Sequence, residues 1–387
     1  MYLERLYDPR LAQACYLVGC PDTGACLAVD PPRDPAPVLA AAAREGLRVT
    51  HVAETHVHAD FASGARELAR RAGARLLLPG AGGPAWAYRY AAPNGGGDAA
   101  ELVCDGYEFD VGRVRVRALH TPGHTPEHVC YVVAAGAASG VPLGVCTGDF
   151  VFAGDVGRPD LLERAAGEAG TMAKAARQLF ASLRRLDALP GHVQLWPGHG
   201  AGSACGKALG AVPQTTLGYE RLTNWAFLEG DEAAFARRVL EGQPEPPAYF
   251  ARMKRLNRDG PPPLDARPPF ARGAPAALDG ALGQLLGGAA GGASGDPLVV
   301  DVRPAAAYAA AHLPGARSLP LGRSFPTWAG WLLPADRPLL LVADGAAQAE
   351  DARGALATVG LDDVRGAKAA GCAGVVLGKS LLEGALR

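Results

Sequence analysis

Side chains able to bind a metal gather at four points of this chain. The segment Glu54–Phe61 reads E-T-H-V-H-A-D-F and supplies His56, His58 and Asp60. The segment Thr121–His128 reads T-P-G-H-T-P-E-H and supplies His124 and His128, with His120 just before it. Asp149 follows in T-G-D, and His199 in P-G-H-G. Imidazoles with carboxylates suit a divalent first-row metal. One histidine alone is more often a satisfied polar residue than a ligand. Four such segments in order, each after an apolar run, point to one metal site. His51 and His192 read as structural. Further reactive types stand nearby. Asp155, Arg158 and Asp160 lie in F-V-F-A-G-D-V-G-R-P-D-L, and Cys205 and Lys207 lie in a glycine-rich stretch after His199.

The elements that must position these residues alternate. Ala14–Val18 and Ala25–Val29 are short apolar runs split by a turn-rich G-C-P-D-T-G. Val38–Gly46 reads as a helix closed by glycine, Arg48–Ala53 as a strand, Ala62–Ala72 as a helix and Ala74–Leu78 as a strand. This β-β-α-β-α-β opening is an α/β pattern. Val111–Leu119 alternates with period two. Val129–Ala134, Leu143–Cys146 and Val193–Trp196 are further strands. Gly170–Leu186 reads as an amphipathic helix, and Gln214–Leu240 as helical until the prolines of Q-P-E-P-P. Asp60 has a competing reading as the cap of the helix after it.

Composition narrows the function. The 387 residues are 49% hydrophobic and 20% charged, which suits a globular protein of more than one domain. Net charge is −1, so no basic excess exists to neutralise phosphates, and nucleic acid is not an expected partner. No run of 18 or more apolar residues suggests a membrane span. The eight cysteines are scattered without a C-x-x-C pair, which suits reduced thiols and a cytoplasmic protein. Proline-rich G-P-P-P-L-D-A-R-P-P-F and the later G-G-A-A-G-G-A-S-G-D-P mark a linker. The expected boundaries are a first domain over 1–262, a linker over 263–295 containing a short helix at Ala276–Leu286, and a second α/β domain over 296–387.

Taken together, the four motifs resemble the metallo-β-lactamase superfamily, an αββα sandwich whose strand-end loops hold metal. Within it, the chain most resembles persulfide dioxygenases and next the glyoxalase II hydrolases. The resemblance covers about 260 residues. Two-metal hydrolases of this fold read H-x-H-x-D-H, whereas this chain places Phe61 at the last position. A phenylalanine cannot ligate a metal, so a full second site lacks a ligand. The resemblance to persulfide dioxygenases implies His56, His124 and Asp149 as ligands of one Fe(II) per chain, although such ligands also accept zinc. It implies a low-molecular-weight thiol persulfide, such as glutathione persulfide, and O₂ as substrates, with sulfite and thiol as products. His58, Asp60 and His199 then orient ligands and waters by hydrogen bonds. Arg158 either meets a carboxylate of the substrate or closes a loop salt bridge. Cys205 either carries sulfur, with Lys207 lowering its pKa, or is an inert small residue. The resemblance also suggests a homodimer.

Leu298–Leu321 reads L-V-V-D-V-R-P-A-A-A-Y-A-A-A-H-L-P-G-A-R-S-L-P-L and resembles the rhodanese domain. Rhodaneses carry a nucleophilic cysteine in the loop after their next strand. Asp344 falls at that place here, and a carboxylate is no sulfur nucleophile. The second domain is therefore expected to be inactive in sulfur transfer.

Overall fold

The computed structural model describes residues 1–91, 99–136, 140–164, 170–203, 205–207, 210, 212–267, 271–272, 297–313 and 315–369. The chain divides into two units, Met1–Pro261 and Pro262–Arg387.

The first unit is built on two six-stranded sheets. Strands β1 (Tyr2–Asp8), β2 (Gln13–Cys20), β3 (Ala25–Val29), β4 (Arg48–Ala53), β5 (Arg75–Pro79) and β6 (Ala100–Val103) lie side by side in sequence order. Strands β7 (Glu108–Val111), β8 (Val114–His120), β9 (Val129–Ala135), β10 (Pro142–Gly148), β11 (Gln194–Pro197) and β12 (Thr215–Thr216) form the other sheet, also in order. The helices are α1 (Ala36–Arg44), α2 (Ala65–Ala72), α3 (Leu161–Arg164), α4 (Met172–Arg185), α5 (Leu217–Thr223), α6 (Trp225–Leu228), α7 (Glu232–Leu240) and α8 (Phe250–Asp259).

Strand periodicity makes the layers. Successive side chains of a strand point to opposite faces. On β2, Ala14, Tyr16, Val18 and Cys20 join the core between the sheets, with Val129, Tyr131 and Val133 of β9. The alternate residues Cys15 and Leu17 pack with Val38 and Ala41 of α1 and Leu68 of α2. Cys130 and Val132 of β9 pack with Leu179 and Leu183 of α4 and Phe235 of α7. The result is helix, sheet, sheet, helix. Each fully buried Leu, Val or Phe contributes roughly 1.5–3 kcal/mol.

Three local expectations change. Strand β1 was not foreseen: its sequence Y-L-E-R-L-Y-D is charged and only half buried, as an edge strand allows. The expected helix over Gln214–Leu240 is three shorter ones, capped by the side chains of Thr216, Asn224 and Asp231. Helix α2 starts at Ala65 behind Gly64, so Asp60 does not cap it.

The second unit holds a five-stranded sheet ordered β13 (Ala271–Arg272), β17 (Val364–Ala369), β16 (Leu339–Ala343), β14 (Leu298–Asp301), β15 (Arg317–Ser318). All its pairings are parallel. Helices α9 (Ala305–Ala310), α10 (Phe325–Leu332) and α11 (Ala346–Thr358) connect the strands. Residues 271 and 272, read as linker, pair instead with Gly366 and Ala367. The D-V-R motif has a structural reason: Arg303 donates to Asp301 at 2.6 and 2.9 Å and to the Ala311 carbonyl at 2.7 Å, pinning the end of α9. Asp344 is exposed at the end of β16. The expected helix at Ala276–Leu286 and Cys372 lie outside the described residues.

Candidate metal centre

Strand pairing brings the motifs to one edge of the sandwich. Strands β10 and β11 are parallel with Gly148 opposite Pro197. Asp149 and His199 therefore leave neighbouring strands at nearly the same level, and the Gly198 N–H donates to the Gly148 carbonyl at 2.8 Å. Gly148 sits at φ +48, and a Cβ there would come within 2.8 Å of His128 Nε2, so T-G-D needs its glycine. Strands β3 and β4 end together, Val29 opposite Ala53, placing Asp30 beside Glu54 and the loop to His58. His124 stands in the β8–β9 hairpin loop. The Val129 N–H donates to the Thr55 carbonyl at 2.8 Å and ties that hairpin to the first sheet.

Three buried residues converge. His56, His124 and Asp149 each offer a ligand atom, all within 4.8 Å of one another. Asp149 Oδ2 lies 3.5 Å from His124 Nε2 and 3.9 Å from His56 Nε2. The other ring nitrogens are taken: His56 Nδ1 meets Thr55 Oγ1 at 2.9 Å, and His124 Nδ1 meets the Arg158 carbonyl at 3.0 Å. Both Nε2 atoms therefore face the carboxylate. Among the described residues, His56 Nε2 and both Asp149 oxygens are buried without a hydrogen-bond partner. Orphaned buried groups are costly. A divalent ion between them would satisfy all three, so these residues fit a metal.

Charge agrees with that reading. Burial pushes the His56 and His124 imidazoles down, toward the neutral form that binds metal. Burial alone would raise Asp149, but His199, His56 and His124 hold its carboxyl well below the usual range.

The remaining sequence-picked residues are distributed differently. His199 Nε2 lies 3.3 Å from Asp149 Oδ1 and 3.2 Å from Asp60 Oδ2, while its Nδ1 meets the Ala12 carbonyl at 3.0 Å. Cys205 joins Asp60 and His199 in a second buried set whose ligand atoms also lie within 4.8 Å. His58 turns away: its Nε2 is 3.1 Å from Asp30 Oδ1 and 3.0 Å from Glu54 Oε2. Burial opposes charge on His58, but Asp30 and then Glu54 raise it above its ordinary value. Arg158 is fully buried and forks onto Asp160 at 2.8 and 2.7 Å, with a third bond to the Pro244 carbonyl at 2.6 Å. Of its two readings the loop salt bridge is the one formed. Lys207 does not activate Cys205, because its ammonium donates to the carbonyls of Arg238 and Glu241. Burial, with Asp149 and Asp60 nearby, pushes the Cys205 thiol far up. Asp155 accepts from Trp225 Nε1 at 3.0 Å, and His120 Nε2 meets the Pro126 carbonyl.

Two supporting residues were not foreseen. Asp30 accepts from Thr55 N at 2.7 Å and Thr55 Oγ1 at 2.8 Å, besides holding His58. Its φ of +51 is rare for a side-chain-bearing residue, and the prolines that follow it were its one sign in the sequence. Asn257 of α8 donates to the carbonyls of His58 and Phe61, both at 2.7 Å, and accepts from Ser63 N at 2.8 Å. The ring of Phe61, 1% exposed, packs 4.4 Å from that of His58.

Glu127 adds a pH dependence. It is fully buried, and its Oε1 accepts the Val57 N–H at 2.8 Å. Burial raises its carboxyl from 4.5 to about 7. The folded state then keeps a proton that the unfolded chain has lost, so this stabilisation is complete below the unfolded pKa and disappears as pH rises through the folded one. Its size is on the order of 3 kcal/mol. Urea unfolding of the wild type should show stability falling from about pH 4.5 to about pH 7. Glu127→Gln should flatten that part of the curve, and an unchanged slope in the variant would remove Glu127 as its cause.

Comparison with known proteins agrees with the architecture. The metallo-beta-lactamase superfamily model matches residues 8–199 and the rhodanese-like domain model residues 289–368. A hydroxyacylglutathione hydrolase of Rhodopseudomonas palustris (strain BisA53) is 31% identical over 264 residues, covering 62% of this chain and 91% of that protein. Another from Rhodospirillum rubrum is 35% identical over 190 residues, 48% of this chain, and the match spans only 60% of that protein's length. The crystal structure of a metallo-beta-lactamase from Staphylococcus aureus subsp. aureus COL superposes with TM-score 0.81 at 38% identity, covering 95% of this chain and 99% of that one. ETHE1 from Myxococcus xanthus gives TM-score 0.52 at 25% identity over 67% of this chain and 98% of its own. With the two sheets, the candidate ligands at their strand ends and these relatives in agreement, the chain belongs to the metallo-beta-lactamase superfamily and carries a rhodanese-like domain after it.

Proposed function

We propose that the chain is an iron-dependent dioxygenase that converts a low-molecular-weight thiol persulfide, O₂ and water to thiol and sulfite. One observation carries this reading. The loop that gives two-metal hydrolases their extra histidine ligands here presents Phe61 and a His58 tied to Asp30 and Glu54. What remains is a set of two histidines and one carboxylate, His56, His124 and Asp149. Fe(II) held by such a set supplies electrons and open positions for O₂ and the persulfide sulfur. The chain's own residues do the rest. Thr55 and the Arg158 carbonyl fix the ring orientations of His56 and His124. Asp160 and the Pro244 carbonyl hold Arg158, so its guanidinium acts through loop position. Phe61, Phe150 and Phe152 are buried at this end of the sandwich and keep bulk water from the reactants.

Thioester hydrolysis is the second reading, favoured by the relatives named hydroxyacylglutathione hydrolase. O₂ consumption separates the two. Anaerobically purified, Fe(II)-loaded protein given glutathione persulfide should take up O₂ and release sulfite, and His124→Ala should abolish this. Hydrolysis of a hydroxyacylglutathione thioester with no persulfide-dependent O₂ uptake would overturn the dioxygenase reading.

A further inference from the structure

Strand β1 brings two side chains to the segment that carries His199, and neither belongs to the metal centre. Arg5 and Tyr7 stand two residues apart and therefore share a face of β1. Their partners across the ladder, Tyr16 and Ala14, belong to the core between the sheets, so that face turns toward the other sheet. The segment P-G-H-G is fixed against the same hairpin. Gln13 bridges to His199, and the Ala12 carbonyl accepts from the Gly200 N–H at 3.1 Å. A Cβ at Gly200 would stand 2.9 Å from the Tyr7 hydroxyl oxygen and 3.5 Å from Arg5 Nη2. Glycine keeps that space open.

Charge is unbalanced there. The Arg5 guanidinium lies over the Tyr7 ring, 4.1 Å from its centroid. Its Nε is buried without a hydrogen-bond partner, and among the described residues no carboxylate pairs with it. Tyr16 gives its hydroxyl proton to the Pro197 carbonyl at 2.9 Å, so it offers Arg5 an oxygen but no charge. The Tyr7 hydroxyl makes no hydrogen bond among the described residues. Arg158 and Lys207, by contrast, are committed to Asp160 and to two carbonyls. Asp60 and Asp149 place two carboxylates inside the site, within 3.3 Å of His199. An anionic substrate therefore needs a cation outside that group.

We propose that Arg5 and Tyr7 form the subsite that takes a carboxylate of the low-molecular-weight thiol on which this protein acts. The proposal rests on the reading of the substrate as a thiol derivative, which the persulfide and the thioester share. A guanidinium offers two parallel N–H groups that match a carboxylate, and the phenol O–H adds a third donor. The spacing sets the size of the carrier. A Cβ at Gly198 would stand 3.0 Å from Asp149 Oδ1, as one at Gly200 would stand 2.9 Å from the Tyr7 hydroxyl. Those two positions are about 7 Å apart along extended chain. The carrier then places its carboxylate on the order of 10 Å from its sulfur, the reach of a tripeptide-sized thiol and not of a single amino acid.

Titration calorimetry of the full-length chain with S-methylglutathione tests this. The probe keeps its carboxylates and can be neither oxidised as a persulfide nor cleaved as a thioester. The wild type should bind it, and Arg5→Gln should bind it about tenfold or more weakly. Arg5→Lys should keep part of the affinity, because the charge remains while the fork is lost. Tyr7→Phe should show a smaller loss. The dimethyl ester of the probe should bind the wild type as weakly as the free acid binds Arg5→Gln, and Arg5→Gln should not weaken it further. The ester comparison on the wild type needs no substitution, so it decides the matter even where Arg5→Gln unfolds. No binding of the probe, equal binding of acid and ester by the wild type, or an Arg5 effect that persists with the ester would overturn the proposal. No turnover enters the readout. Failed O₂ uptake with Arg5-dependent binding intact removes the dioxygenase reading alone, and the reverse result removes this subsite alone.

Discussion

Asp149→Asn should strip the chain of its metal and of every activity that depends on it. The substitution keeps the volume and removes the charge. Asp149 is the anion shared by the site: His124, His56 and His199 all stand within 3.9 Å of its oxygens. Loss of an outer partner of a ligand typically costs ~10–100-fold in affinity, and loss of a direct charged ligand exceeds that. The expected result is iron below one-hundredth of wild-type occupancy at matched free metal, with persulfide-dependent O₂ uptake lost. The metal-free chain should lose stability as well. Breaking a buried ion pair by removing one partner costs about 3–5 kcal/mol, because the other charge is left uncompensated. His199 would keep only Asp60 as a carboxylate partner. Wild-type iron content in Asp149→Asn would place the metal elsewhere, and the assignment of His56, His124 and Asp149 would fall with it.

The outline of this site was legible because ligand types are chemically conspicuous. His56, His124, Asp149 and His199 each follow an apolar strand, and strand ends on one edge of a sandwich converge. What could not be read was which way each ring turns. His56 and His58 stand two residues apart in one run, yet one faces Asp149 and the other Asp30. The difference is made by the parallel pairing of β3 with β4, which sets Asp30 beside the loop from 28 residues away. Arg158 shows the same limit. Its sequence context allowed a substrate contact or a salt bridge, and Asp160, two residues on, takes its fork.

The sandwich itself was legible where alternation was clean. The residues of β2 and β9 divide between two cores just as period two requires. Strand β1 and helix α8 were missed for opposite reasons. Strand β1 is an edge with half-buried charges, so alternation is blurred. Helix α8, F-A-R-M-K-R-L-N-R-D, follows the prolines of Q-P-E-P-P that interrupt the helical pattern, and its importance rests on one asparagine.

That asparagine carries the second large effect, although it touches no metal ligand. Asn257→Ala should destabilise the first unit by about 3 kcal/mol or more and loosen the metal centre at the same time. Three buried backbone groups depend on its amide: the His58 and Phe61 carbonyls and the Ser63 N–H. Each group left unsatisfied costs ~1–3 kcal/mol, unless water enters. Those groups bracket Asp60 and sit just after His56, so the loop that aims both would lose its far-side support. Ser63 also donates to Glu54, which faces His58, and the disturbance should therefore reach that pair. Metal affinity should fall ~10–100-fold, as expected for an outer partner of a ligand. Asn257→Asp separates geometry from size. It keeps an acceptor for Ser63 N–H but sets a buried carboxylate oxygen against the His58 and Phe61 carbonyls, so it should destabilise at least as much as Asn257→Ala. A chain that unfolds at the wild-type denaturant midpoint with Ala at 257 would mean that the loop from His56 to Ser63 holds its shape without α8.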